Sequence, residues 1–186
     1  MNFQQYKELF EQILNSPKPV APYDDEHFLN YTKLNWSRMN RWLKTTSLTD
    51  DQKAKIATIN EPQNWIVITE PWCGDAAHIV PFIFMLASTN PNINLDFVLR
   101  DEGNDLINSY LTNGSKSIPK LIIRNSMGED LAIWGPRPEK TRLFLEELKA
   151  KELSFDELKI ELQTWYNNDK GHEILKELVG LISVPV

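Results

Sequence analysis

The sequence predicts an α/β protein: a four-stranded mixed sheet flanked by helices, with further helices at both ends. Three observations predict it. Apolar residues recur at helical spacing through the first sixty positions, and at Trp65 the pattern switches to short β-branched runs that alternate with helical segments. Finally, two apolar runs, Leu121 to Arg124 and Leu131 to Trp134, are joined by only Ser126-Met127-Gly128-Glu129. A connection that short closes an antiparallel hairpin, whereas strands separated by helices run parallel.

Phe3, Tyr6, Phe10, Ile13 and Leu14 give the first helix one apolar face, and Pro17, Pro19 and Pro22 stop it. Asp24, Asp25 and Glu26 supply negative charge to the start of a second helix, whose stripe is Phe28, Tyr31, Leu34, Met39, Trp42 and Leu43. Thr49-Asp50-Asp51-Gln52 fits a capping box ahead of a short third helix with Ile56 and Ile59. Trp65 to Thr69 reads as a buried strand, Cys73 to Ser88 as a helix kinked by Pro81, and Ile93 to Leu99 as a second strand. A short helix is expected from Asp105 to Leu111, ended by Asn113-Gly114. Helices over Glu139 to Lys151, Phe155 to Trp165 (capped by Ser154) and Glu173 to Ile182 complete the chain. The division expected is a helical extension at 1–62, a core at 63–152 and a second extension at 153–186, all in one structural unit. The first extension reads as a cap on the core, or else its aromatic residues line a partner or ligand groove.

With 186 residues, 41% hydrophobic and 25% charged, this is an ordinary globular composition. The net charge of −6 argues against nucleic acid as a partner, because no excess of cations is available to displace phosphate counterions. Arg38, Arg41 and Lys44 read as the solvated face of a helix. No signal-peptide layout opens the chain, and the longest apolar run, Ile79 to Ala87, is too short to span a bilayer. A cytoplasmic location without membrane contact is expected. One cysteine and three scattered histidines provide neither a disulfide nor metal-ligand spacing, so no metal or cofactor is expected.

That cysteine, Cys73, stands where a strand hands over to a helix, within Trp72-Cys73-Gly74-Asp75-Ala76. The positive end of a helix dipole lowers a thiol pKa from about 8.5 and favours the reactive thiolate. Asp75 opposes this, since a carboxylate in the first turn suits the dipole but repels a thiolate. Asp75 reads first as a helix-stabilising residue, with a local acid or base role as the sharper alternative. His78, five residues along, is rotated about 140° from the cysteine and reads as a helix-face residue, while His27 and His172 read as surface residues. Gly135-Pro136-Arg137-Pro138 reads as a rigid turn into the next helix; Arg137 facing an anionic ligand is the alternative.

The strand and helix order, Trp72-Cys73-Gly74 after the first core strand and Ser117-Ile118-Pro119-Lys120-Leu121-Ile122-Ile123 before the third, resembles the thioredoxin fold. More narrowly, the chain resembles a family of bacterial thioredoxin-like proteins with a Trp-Cys-Gly-Asp motif and an N-terminal helical extension. The resemblance implies a cis proline beside the thiol, here Pro119, with the backbone of Ile118 open to an extended substrate segment. A strand-entry proline is the plainer reading of Pro119. It also implies a nucleophilic Cys73, with Trp72, Gly74, Asp75, Ile118 and Pro119 forming the substrate groove and Gly74 allowing close approach at the helix start.

Departures from the family pattern limit that chemistry. The resolving cysteine is replaced by Ala76 and the buried proton acceptor by Val67, so a dithiol reductase cycle is excluded by counting. Monothiol glutaredoxins carry Cys-Gly-Phe-Ser where this chain has Cys73-Gly74-Asp75-Ala76, and an iron–sulfur cluster would need a second chain or an outside ligand. Two functions are therefore expected. One is monothiol redox chemistry at Cys73 with a protein or low-molecular-weight thiol or disulfide partner. The other is a non-catalytic adaptor that binds a peptide or protein partner.

Overall fold

The computed structural model describes residues 1–103, 105–151 and 153–182. Its centre is a four-stranded sheet in the order β2-β1-β3-β4, with β1 at Gln63–Thr69, β2 at Ile93–Leu99, β3 at Lys120–Asn125 and β4 at Asp130–Trp134. β1 runs parallel to β2 and antiparallel to β3, and β3 is antiparallel to β4. This is the mixed sheet expected from the connection lengths. Trp65, Val67 and Ile68 of β1 are fully buried, because helices cover both faces of the central strand.

The helices are α1 (Phe3–Asn15), α2 (Glu26–Thr45), α3 (Asp50–Ile56), α4 (Gly74–Ala87), α5 (Glu139–Lys149), α6 (Phe155–Asp169) and α7 (His172–Ile182). Thr49 and Ser154 form capping boxes at the starts of α3 and α6. α4 is buried nearly all round and carries Pro81 without interruption of the helix. The amphipathic stripe of α1 packs over β2 and α4: Phe3 stacks on Phe84 with centroids 3.9 Å apart, and Tyr6 on Phe97 at 5.0 Å. α2 crosses α4 through buried Met39 and Trp42, with Trp42 against Phe82 at 5.6 Å.

Two elements differ from expectation. The segment expected as a helix from Asp105 to Leu111 is a single 3-10 turn, Leu106–Ser109, followed by a Thr112–Ser115 bridge. Asp105 has φ 50°, a left-handed entry from which an α-helix does not propagate, and only Ile107 of the turn is buried. α6 runs on past Trp165 to Asp169, because Tyr166 extends its buried face, and it ends at the left-handed Lys170.

The β4–α5 connection is built against the loop before β3. Gly135 has φ 109°, and a Cβ there would sit 2.3 Å from the Pro119 carbonyl oxygen, so only glycine fits. That close approach brings Arg137 towards the start of α4.

Candidate functional site

β1 ends at Thr69, and Glu70-Pro71-Trp72 turns the chain so that Cys73 becomes the N-cap of α4. The Cys73 N–H donates to Glu70 O at 3.0 Å, and its Sγ–H donates to the Ile118 carbonyl at 3.5 Å. The residue is 7% exposed. Burial, reinforced by the Asp75 charge, pushes the thiol pKa up to about 12, against the opposing pull of the Ala76 N–H, Arg137 and the Asp75 N–H. On the sequence the helix start and the Asp75 charge oppose each other with no fixed balance; in the structure desolvation of the thiolate decides the direction. Cys73 is a protonated thiol at neutral pH.

Asp75 is more than a first-turn residue. Arg137 reaches across 62 positions to grip it with both arms, Nε to Oδ1 at 2.9 Å and Nη2 to Oδ2 at 2.5 Å. The Tyr166 hydroxyl adds a third bond to Oδ1 at 2.8 Å. Burial is the largest influence on Arg137 and works to lower its pKa, yet the Asp75 charge and hydrogen bonds, with Tyr166 and Cys73 adding to them, together outweigh it and keep the guanidinium firmly cationic. So Arg137, expected to serve the turn or an outside anion, ties the β4–α5 connection to the reactive-site helix.

His78, read as a helix-face residue, is buried. Trp42 Nε1–H donates to its Nδ1 at 3.0 Å, so the proton sits on Nε2 and is donated to Gln163 Oε1 at 2.6 Å. Burial pulls its pKa down to about 4, and the ring is neutral. His27 and His172 are exposed.

The N-terminal helices brace the same corner. Asn35, fully buried on α2, donates to the Pro71 carbonyl at 3.0 Å and accepts from Arg38 Nη1 at 3.0 Å. Phe28 meets the Trp72 ring edge-on at 5.7 Å, and Arg100 lies over Trp72 at 4.7 Å. Glu70 is also buried; burial raises its carboxyl pKa to about 7, although Asp101 N–H donates to it at 2.9 Å.

Beside this corner α2, α5 and α6 enclose a cleft of about 880 Å³. Trp72, Cys73, Gly74 and Asp75 form part of its wall. Ile118 and Pro119 do not belong to that wall; they lie beneath the thiol, buried, joined by a cis peptide. The Ile118 edge expected to be open to a substrate segment is buried, with its carbonyl taken by Cys73. A Cβ on Gly74 would lie 3.6 Å from Gln163 Nε2, an ordinary contact, so no close approach demands glycine there.

Sequence reasoning overlooked Asn35, Glu70, Gln163 and Tyr166, and placed Arg38 in solvent. Arg38 is half-buried and borders the cleft. Its spacing from Tyr31 and Leu34, seven and four residues, puts all three on one helix face and was the available signal. Arg41 stays outside, bonding Asn167 at 2.6 Å.

The family model described as thioredoxin matches residues 21–149, more than half of the chain. The chain belongs to this thioredoxin family. No curated protein matches it. Among solved structures, it is similar to a protein of unknown function from Pseudomonas aeruginosa, with 15% identity and TM-score 0.58, covering 83% of this chain and 90% of the other. It is also similar to an HIV epitope-scaffold protein, with 14% identity and TM-score 0.60, covering 87% and 98% respectively. At those identities the likeness concerns the fold. The sheet order, Cys73 at the N-cap of α4 and the Ile118-Pro119 segment against the thiol agree with that membership. Among the described residues no helix is long and apolar enough to cross a membrane.

Proposed function

We propose that this thioredoxin-family chain is a binding protein whose Cys73 corner serves as part of the floor of a ligand or partner site, not as a disulfide-exchange centre. One observation carries the reading: the only thiol is buried, protonated and bonded to the Ile118 carbonyl. A thiol, unlike a thiolate, is a poor nucleophile and a poor metal ligand. The partner is a protein or a small ligand; the net charge of −6 disfavours nucleic acid. A lone free thiol suits a reducing compartment such as the cytoplasm.

Monothiol exchange is the second reading, and it has one observation in its favour: Cys73 borders an open cleft. Its step would be attack of the Cys73 thiolate on oxidised glutathione, forming a mixed disulfide and releasing one glutathione thiolate.

Incubation of the folded protein with oxidised glutathione at pH 7, followed by intact-mass measurement, separates the two. The binding reading expects no adduct until the protein is denatured. A glutathionyl adduct forming on the folded protein faster than on free cysteine would defeat it.

A further inference from the structure

The walls of the cleft carry two kinds of group that do not satisfy each other. Phe28, Tyr31 and Leu34 on α2 face Phe155, Leu158 and Ile160 on α6. Three of these are widely exposed, Leu34 at 51%, Phe155 at 70% and Ile160 at 64%. Scattered exposed hydrophobes are commonplace; three around one concave site form an apolar patch that favours covering.

The cleft is also cationic, in a chain whose net charge is −6. Its charged lining residues are Arg38, Arg137, Lys149 and Lys159 against Asp75 and Asp156. Asp75 is consumed by Arg137. Asp156 lies 3.7 Å from Lys159, whose ammonium also sits over the Tyr31 and Phe155 rings at 4.4 and 3.8 Å. Arg38 and Lys149 remain: among the described residues neither has a carboxylate within ion-pair distance. Arg38 is the telling one, being half-buried at the cleft wall with Asn35 as its side-chain acceptor. A partly desolvated cation without a counter-charge is costly, and an incoming anion relieves that cost.

Resting on the reading of the cleft as a binding site, we infer that its occupant is a small amphipathic carboxylate. The apolar body lies between α2 and α6, and the carboxylate is held by Arg38 with Lys149 in support. The volume of about 880 Å³ falls within the range of small-molecule pockets. A guanidinium offers the two-pronged donor that a carboxylate takes best.

Decanoate and decanol, matched in chain length and different in charge, test this by calorimetric titration into the wild-type protein, Arg38→Gln and Arg38→Lys. The expected result is decanoate binding about tenfold or more tightly than decanol, with that advantage lost in Arg38→Gln and reduced but still present in Arg38→Lys, which keeps the charge without the two-pronged donor. Decanol binding is unchanged by either substitution. Equal binding of the two compounds, an unaltered preference in Arg38→Gln, or binding of neither would overturn the inference. In the last case, an unreactive Cys73 towards oxidised glutathione would leave the binding reading standing with a protein as the partner. Circular dichroism of both variants checks that each is folded.

Discussion

Replacing Arg137 by methionine tests the internal clamp of the site. Asp75 would lose both guanidinium bonds and keep only the Tyr166 hydroxyl, with its side chain 9% exposed. Removing one partner from a buried ion pair costs about 3–5 kcal/mol, because a charge is left desolvated and unpaired. Arg137 is 25% exposed, so water relieves part of that cost, and the expected loss is about 2–3 kcal/mol. In a protein of this size that corresponds to a fall in Tm of roughly 4–12 °C. Urea denaturation followed by circular dichroism measures it. Combining Arg137→Met with Asp75→Asn removes the stranded charge, so the double variant should lose less than the sum of the singles, by about 1 kcal/mol or more. The thiol supplies a second readout: Asp75→Asn should lower the Cys73 pKa and Arg137→Met should raise it, since the two charges act on it in opposite directions. A loss under about 0.5 kcal/mol, or strict additivity, would refute the clamp.

Three further outcomes are expected. Glu70 is raised in the folded protein from 4.5 to about 7, so its contribution is present at low pH and is lost as pH rises through that window. Glu70→Gln should therefore gain about 1–2 kcal/mol on the wild type between pH 4 and pH 8, after discounting for solvent screening; a constant difference across that range would contradict it. His78 is lowered from 6.5 to about 4, so its contribution is present above 6.5 and is lost as pH falls through the window. Unfolding followed across that range should show a stability loss on acidification that His78→Gln lacks, and an equal loss in both proteins would count against a neutral buried ring. Gly135→Ala should lose about 2–4 kcal/mol in urea denaturation, because its Cβ would collide with the backbone oxygen of Pro119 at a left-handed φ. A change within about 0.5 kcal/mol would mean the loop shifts freely.

The fold was legible because its signals are local. Apolar spacing in Phe3, Tyr6 and Phe10, the capping box at Thr49, the cap at Ser154, and the brief Ser126–Glu129 connection each act over a few residues. Chain order then required β1 and β2 to run parallel. The corner at Cys73 was legible for the same reason, as a strand-to-helix junction. The chemistry was not, because it depends on long-range partners. Asp75 meets Arg137 and Tyr166 at separations of 62 and 91 residues, and His78 meets Gln163 at 85. Nor does a sequence position reveal burial, which decides the thiol. A helix start and the Asp75 carboxylate pull the thiol in opposite directions, and the burial of Cys73 against Ile118, added to the Asp75 charge, sets it upward. Arg38 was misplaced because a run of basic residues suggested solvent, whereas the helix turns Arg38 inwards and leaves Arg41 outside.

The central claim is that Cys73 is a protonated, buried thiol at physiological pH, which makes the site a place of binding. Titrating the ultraviolet absorbance of the thiolate in the folded protein, with Cys73→Ser as the blank that removes the tyrosine signal, tests it most directly. The account predicts no thiolate step at neutral pH and a rise only in strongly alkaline solution, towards about 12. A step below the ordinary thiol value of about 8.5 would contradict it and restore Cys73 as a nucleophile.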